Sequence, residues 1–99
     1  MITENIMLRL DLKKQLQHLS IDKDEYISSM LINGASYLLG EEDKDIMVLD
    51  PNDDYLQFTM KIEESLKDEI KGYCFERGIK IKAFWNEVAY IVIQKNGDF

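Results

Sequence analysis

The sequence predicts a mainly α fold with one short antiparallel β-ribbon, and two periodicities in its second half carry this prediction. From Leu56 to Ile62, apolar residues alternate with polar ones, which is the period of a strand with one buried face. After Glu63 the apolar residues recur at helical spacing, first as far as Gly78 and again from Lys80. The predicted order of elements is therefore strand, helix, glycine turn and helix.

Each of these elements has one apolar face. The strand at 56–62 places Leu56, Phe58, Met60 and Ile62 on one side and Gln57, Thr59 and Lys61 on the other. The first helix, near 63–77, buries Leu66, Ile70, Tyr73 and Cys74 and stops at Gly78, a residue suited to a left-handed helix end. The second helix, near 80–94, turns Phe84, Trp85, Val88, Ala89 and Val92 inward. The face with Gln57, Thr59 and Lys61 is left for solvent or a partner.

This succession, with an amide, a hydroxyl and an ammonium in a row on the strand, resembles the ribbon-helix-helix repressor family. In that family two such strands pair antiparallel across a dimer, and the ribbon enters the major groove of DNA. The resemblance implies that Gln57, Thr59 and Lys61 read base edges. It also implies that Gly78, Lys80 and Lys82 set the start of the second helix against phosphate. The chain departs from the family in having Glu63 where a proline often follows the strand, and Lys82 and Ala83 where a serine and an acidic residue often open the second helix.

The first half matches the apolar frame of the second half when it is shifted by 58 residues. Leu8 then falls on Leu66, Leu12 on Ile70 and Leu16 on Cys74. This match indicates a degenerate repeat with helices near 4–19 and 22–39, although any two helical hairpins could show it. We therefore expect a helical hairpin at 1–40, with only residues 1–3 left for a ribbon strand. A strand through Leu8, Leu10 and Leu12 ranks second, because it leaves too short a first helix.

An acidic linker at 41–54 joins this hairpin to the ribbon-helix-helix unit at 55–99, within a single domain of 1–99. A short apolar run at 46–49 precedes turn-forming residues at 50–54, so it can fold back as a strand on Tyr55–Ile62. Otherwise a second copy of the chain must complete the ribbon, and we expect this homodimer. The spacing of Asp50, Asn52 and Asp54 imitates a calcium loop. The loop's glycine position holds Tyr55 and its glutamate position holds Lys61, so calcium binding is not expected.

The sequence predicts neither an enzyme nor a cofactor or metal site. Cys74 falls on the buried stripe of a predicted helix, and His18 is the only histidine, so no metal set or catalytic triad can be assembled. The first 19 residues mix charges with apolar residues, unlike a secretory leader, and no apolar run approaches the ~20 residues that span a bilayer. We expect a cytoplasmic protein without a membrane partner.

The net charge of −7 opposes phosphate binding, but its distribution is uneven. Residues 1–54 hold 12 acidic and 5 basic side chains, whereas residues 55–99 hold seven of each. In the second half, basic side chains lie near the predicted ribbon and the start of the last helix: Lys61, Arg77, Lys80 and Lys82. The matching place in the first half holds Asp22, Lys23, Asp24 and Glu25. We therefore expect the first half to make no direct contact with DNA.

Two functions follow from these features. The first is a small sequence-specific protein for double-stranded DNA, either a transcriptional repressor or a plasmid or mobile-element accessory factor. The alternative is an acidic protein-binding module, an antitoxin or inhibitor whose carboxylates replace nucleic-acid phosphates. The acidic residues that motivate it are Glu41, Glu42, Asp43, Asp45, Asp50, Asp53 and Asp54. A run of this kind is more often a solvated linker.

Overall fold

The computed structural model describes residues 1–99 and arranges them as two successive strand-helix-helix units. The first unit comprises β1 (Ile2–Arg9), α1 (Leu10–Lys23) and α2 (Ile27–Leu39). The second comprises β2 (Tyr55–Ile62), α3 (Glu64–Arg77) and α4 (Ile81–Gln94). The two strands form one antiparallel two-stranded sheet. The predicted fold class, mainly helical with a short antiparallel ribbon, is confirmed.

The second unit follows the predicted boundaries closely, but the predicted first helix is wrong over residues 4–9. These residues lie in β1, which buries Ile6 and Leu8 on one face and exposes Asn5 and Met7 on the other. The chain therefore does not begin with a helical hairpin. The lower-ranked strand through Leu8 and Leu12 is also wrong, because the helix starts at Leu10. The helix predicted at 22–39 begins at Ile27.

The two units correspond at an offset of 54 residues, not 58. Leu10 and Glu64, which begin the first helix of each unit, are 54 positions apart. Asp24 and Gly78, at the same offset, follow the ends of these helices with left-handed φ values of 52° and 64°. The next amides donate to equivalent carbonyls, Glu25 to Ser20 at 3.1 Å and Ile79 to Cys74 at 3.0 Å. Both helices therefore end in the same hydrogen-bonded turn.

The register of the ribbon has the same internal symmetry. Pairing runs from Ile2 with Ile62 to Arg9 with Tyr55, and the centre is the pair Asn5 and Thr59. Since residues 5 and 59 are also 54 positions apart, equivalent positions face one another at the centre of the ribbon. The two strands of the ribbon are therefore related by an approximate twofold axis through this pair.

The core lies between the inner face of the ribbon and the helices. Trp85 is fully buried, as predicted, and Cys74 is also buried. Helices α2 and α4 approach closely at Gly34, where an added Cβ would lie 2.8 Å from Val92 Cγ2 and 3.0 Å from Val88 Cγ1. A residue larger than glycine at position 34 would therefore collide with α4 at this crossing. None of the helices has the length and apolar character needed to cross a membrane.

The linker at 41–54 contains no strand, so the alternative in which residues 46–49 fold back on β2 is wrong. Three hydrogen bonds instead hold its backbone against the second unit. The Tyr73 hydroxyl donates to the Glu41 carbonyl at 3.3 Å, and Arg77 Nη2 donates to the Glu42 carbonyl at 3.1 Å. The Met47 amide donates to the Glu87 carboxylate at 2.8 Å. The ribbon is completed within the chain by β1, and the linker serves as a strap over α3 and α4.

Candidate nucleic-acid interface

The outward surface of the ribbon consists of six exposed side chains, three from each strand, which we call the ribbon face. They are Thr3, Asn5 and Met7 from β1 and Gln57, Thr59 and Lys61 from β2. The register pairs Thr3 with Lys61, Asn5 with Thr59 and Met7 with Gln57. The opposite surface of the ribbon carries the buried residues Ile6, Leu8, Met60 and Ile62. The three residues predicted from β2 therefore share one exposed surface with three that were not predicted.

The sequence does contain a signal for β1, but Glu4 interrupts it. Ile2, Ile6 and Leu8 alternate on the inner face, and Glu4 stands between them with a side chain that is only 13% exposed. Its carboxylate lies 3.8 Å from the ammonium of Lys67. The equivalent pair in the other unit is Phe58, whose ring centre lies 4.8 Å from the ammonium of Lys13. Glu4 thus lies where the alternation calls for an apolar residue, so the sequence pattern of β1 does not read as a strand.

The ribbon face changes in chemistry along its length. One end pairs the hydroxyl of Thr3 with the ammonium of Lys61. At the centre the Thr59 hydroxyl donates to Asn5 Oδ1 at 2.7 Å. The other end pairs the thioether of Met7 with the amide of Gln57. The surface is rich in hydrogen-bonding groups, holds a single formal charge and has two unlike ends.

A buried asparagine on α4 fixes β1 beneath this face. Asn86 is fully buried, and its Nδ2 donates to the carbonyls of Met7 and Lys82, both at 2.8 Å. Its Oδ1 accepts the amide of Arg9 at 2.7 Å. Ile32 occupies the equivalent position on α2 and cannot make these bonds. Asn86 is a positioning residue that the sequence pattern missed, because it lies outside the stripe of Phe84, Trp85, Val88, Ala89 and Val92 that was predicted to face inward.

The start of α4 lies beside the Met7 and Gln57 end of the ribbon. Gly78 makes the left-handed turn that precedes it, and both Lys80 and Lys82 are exposed. The Lys82 ammonium lies 3.6 Å from the ring centre of Tyr55, the first residue of β2. No side chain caps the helix, so the amides of its first turn have no side-chain acceptor. Residues 46–49 and Pro51 of the linker and this helix start together line a groove of about 420 Å³.

The start of α2 offers no comparable positive charge. Tyr26 and Ser28 stand where α4 has Lys80 and Lys82, and Asp24 and Glu25 precede them. The nearby Lys23 is paired with Asp98 at 2.6 Å. A phosphate would therefore meet ammonium groups at the start of one second helix and carboxylates at the start of the other.

Arg9 adds little free positive charge to the ribbon. Its Nε lies 2.6 Å from the carboxylate of Asp11, and this hydrogen-bonded guanidinium lowers the pKa of Asp11 below its ordinary value. Asp53 and Asp54 line the same shallow depression as Arg9 and Asp11. Lys14 lines this depression too, so three carboxylates face two cations below the Met7 and Gln57 end of the ribbon. The positive charge near the ribbon face comes from Lys61, Lys80 and Lys82.

The single cysteine of the chain lies in the core. Cys74 is 3% exposed, and burial raises the pKa of its thiol, which disfavours the nucleophilic thiolate. No group of three or more histidine, cysteine, aspartate or glutamate side chains is placed to hold a metal ion. No family model, curated protein or solved structure matches the chain.

Proposed function

We propose that this chain binds double-stranded DNA sequence-specifically and reads the major groove with its ribbon face. One observation carries the proposal: a two-stranded ribbon buries one surface and exposes six mostly polar side chains on the other. The major groove of B-DNA, about 12 Å wide, admits such a ribbon. Alternate residues of paired strands point the same way, so these side chains would face base edges together.

The residues of the ribbon face suit this role. Gln57 can pair with adenine through both atoms of its amide, Lys61 can reach the acceptors of guanine, and Thr59 can contact a polar edge or a thymine methyl group. Asn5 supplies a second amide, although its oxygen already accepts from Thr59, so this proposal replaces the expectation that the first half makes no contact with DNA. At the start of α4, the amides after Gly78 and the ammonium groups of Lys80 and Lys82 would contact phosphate.

We further propose that one chain is the DNA-binding unit. The expected homodimer served to supply a second strand for the ribbon, and β1 takes that place within the chain. The likeness to the ribbon-helix-helix family then concerns two joined units rather than one. A transcriptional repressor or a plasmid or mobile-element accessory factor is the biological role that this likeness suggests.

The charge of the chain limits how strongly DNA affinity can depend on salt concentration. With a net charge of −7 and about two lysines available for phosphate, the logarithm of affinity should fall with the logarithm of salt concentration at a slope of about −2. Non-specific affinity must be low. Most of the binding free energy would then come from base contacts, because few phosphates are neutralised.

A salt titration tests the proposal. Anisotropy of a labelled random duplex is measured with the full chain between low and physiological salt. We expect measurable binding at low salt that weakens with a shallow slope. The double variant K80A/K82A should bind less and show a slope close to zero. Absence of binding by the unaltered chain at the lowest salt, together with no preference for any sequence, would refute the proposal.

The alternative of an acidic protein-binding module has its own supporting observation. Glu42, Asp43 and Asp45 are exposed, while hydrogen bonds at Glu41, Glu42 and Met47 hold the linker backbone in place. An ordered acidic surface of this kind suits a basic nucleic-acid-binding site on another protein. Replacing Glu42, Asp43 and Asp45 by their amides should abolish such binding and leave DNA binding intact or strengthened.

A further inference from the structure

The two ends of the ribbon face differ although the backbone relates them by an approximate twofold axis. The axis makes Thr3 equivalent to Gln57 and Met7 equivalent to Lys61. One end therefore carries Thr3 with Lys61, and the other carries Gln57 with Met7. Two copies of one chain would have to present identical ends, whereas two units joined in one chain need not. The joined arrangement removes the usual requirement for a palindromic site.

We infer that the target of this chain is a non-palindromic duplex whose two half-sites differ in base composition. This inference rests on the proposed DNA-binding function. The Lys61 end favours guanine, because an ammonium approaches the O6 and N7 acceptors. The Gln57 end favours A·T pairs, because its amide matches adenine and the Met7 thioether offers apolar contact to a thymine methyl group.

The flanks of the ribbon give the protein a fixed direction on such a site. Lys82 packs on Tyr55, so the lysines at the start of α4 lie beside the Gln57 end. The equivalent positions at the other flank are Tyr26 and Ser28, which carry no positive charge. The A·T-rich half-site should therefore also be the one whose backbone meets Lys80 and Lys82 on the α4 side of the ribbon, although Asp11, Asp53 and Asp54 lie below the same end. Turning the protein around would mismatch both base-reading ends.

Selection of duplexes from a library with a randomised core tests the inference. The full chain at low salt should enrich a non-palindromic sequence. Two palindromes are then built, one from each half-site, and each should bind about tenfold more weakly than the selected duplex, the loss typical of one mismatched contact. A palindromic consensus, or a palindrome that binds as well as the selected duplex, would overturn the inference alone. Failure to enrich any sequence would overturn the proposed function as well.

A variant that makes the two ends alike provides the sharper control. The double substitution M7K/Q57T gives both ends a threonine and a lysine, and both sites are exposed. This variant should come to prefer the palindrome built from the guanine half-site, by about tenfold over the originally selected duplex. Unchanged thermal unfolding shows that the fold is retained. A folded variant whose preference does not change would overturn the assignment of the two ends.

Discussion

Asn5 and Thr59 occupy the same position in the two units and face one another across the centre of the ribbon, where the Thr59 hydroxyl donates to Asn5 Oδ1 at 2.7 Å. A contact between equivalent positions normally lies on the twofold axis of a homodimer. Here both residues belong to one chain, so the axis is approximate and the two side chains differ. Because the two units belong to one chain, they need not be identical, and the start of α4 carries Lys80 and Lys82 whereas Asp24 and Glu25 precede the start of α2.

A ribbon completed within the chain predicts that stability does not depend on protein concentration. The unfolding midpoint should be the same over a hundredfold range of concentration, and the mass in solution should be that of one chain, 11.6 kDa. Each tenfold dilution of a two-state dimer would instead cost about 1.4 kcal/mol of apparent stability. An unfolding midpoint that rises steadily with protein concentration would instead support the homodimer.

Two exposed glycines should respond oppositely to the same substitution. Gly78 has a φ of 64°, a conformation that costs an L-residue about 1–2 kcal/mol, so Gly78→Ala should destabilise by about 1 kcal/mol. Gly72 lies within α3 with no atom within 4 Å of its Cβ position, so Gly72→Ala should stabilise by about 0.5–1 kcal/mol. Denaturant unfolding of both variants measures the signs. Equal effects would show that the turn after α3 is misplaced.

Trp85 should contribute far more to stability than an equally apolar residue on the surface. It is fully buried, and truncating a large core aromatic costs about 3–5 kcal/mol, comparable with the total stability of a domain of this size. We expect Trp85→Ala to unfold the chain or nearly so. Phe75 is 88% exposed, so Phe75→Ala should change the free energy of unfolding by less than about 0.5 kcal/mol. If Trp85→Ala left the unfolding midpoint unchanged, the assignment of Trp85 to the buried face of α4 would be wrong.

The sequence predicts the second unit well and the first unit poorly for a reason that lies in the helical period. The offset of 58 differs from the structural offset of 54 by four residues, which is about one turn of an α-helix. Leu8, Leu12 and Leu16 therefore lie four residues apart, as on one face of a helix. This spacing makes the predicted first helix begin too early, within β1. The inward-facing Glu4 removed the alternation that would have opposed this reading. Residues 3, 5 and 7 were consequently lost from the candidate site.

The position of the linker and the role of Asn86 were beyond sequence reasoning because both depend on distant contacts. Met47 bonds to Glu87 and Asn86 bonds to Met7 and Arg9, residues that are separated by 40 or more positions in the chain. A local period carries no information about such pairs. The apolar run at 46–49 is therefore open to a strand assignment, whereas the backbone amide of Met47 bonds to the Glu87 side chain of α4.

Asn86 should support the ribbon in proportion to the hydrogen bonds it makes. Asn86→Leu leaves the Arg9 amide and the Met7 carbonyl without these partners, so a loss of about 1–3 kcal/mol is expected. The matched control is Asn33→Leu on the exposed side of α2, which should change stability by less than about 0.5 kcal/mol. Hydrogen exchange at Arg9 provides the site-specific measurement. Unchanged protection of that amide in Asn86→Leu would contradict the positioning role.

The ribbon face and the start of α4 should fail in different ways when a lysine is removed from each. Lys61→Ala should cost about 1–3 kcal/mol at one base position and relax the preference there, because Lys61 would contact a base edge. Lys80→Ala should weaken binding to all sequences alike and reduce the salt slope by about one, because Lys80 would contact phosphate. Both effects are measured by titrating a panel of single-base variants of the selected duplex at several salt concentrations.

Lys95→Ala is the charge-matched control for this pair. Lys95 follows the far end of the same helix, about 20 Å from its start, and its ammonium lies 4.5 Å from the ring centre of Tyr37. Its removal changes the net charge equally, so it should leave the sequence preference and the salt slope unchanged. Equal losses in all three variants would mean that only net charge matters. The acidic protein-binding module would be favoured if none of the three variants lost DNA affinity and substitutions at Glu42 and Asp43 abolished binding to a basic protein partner.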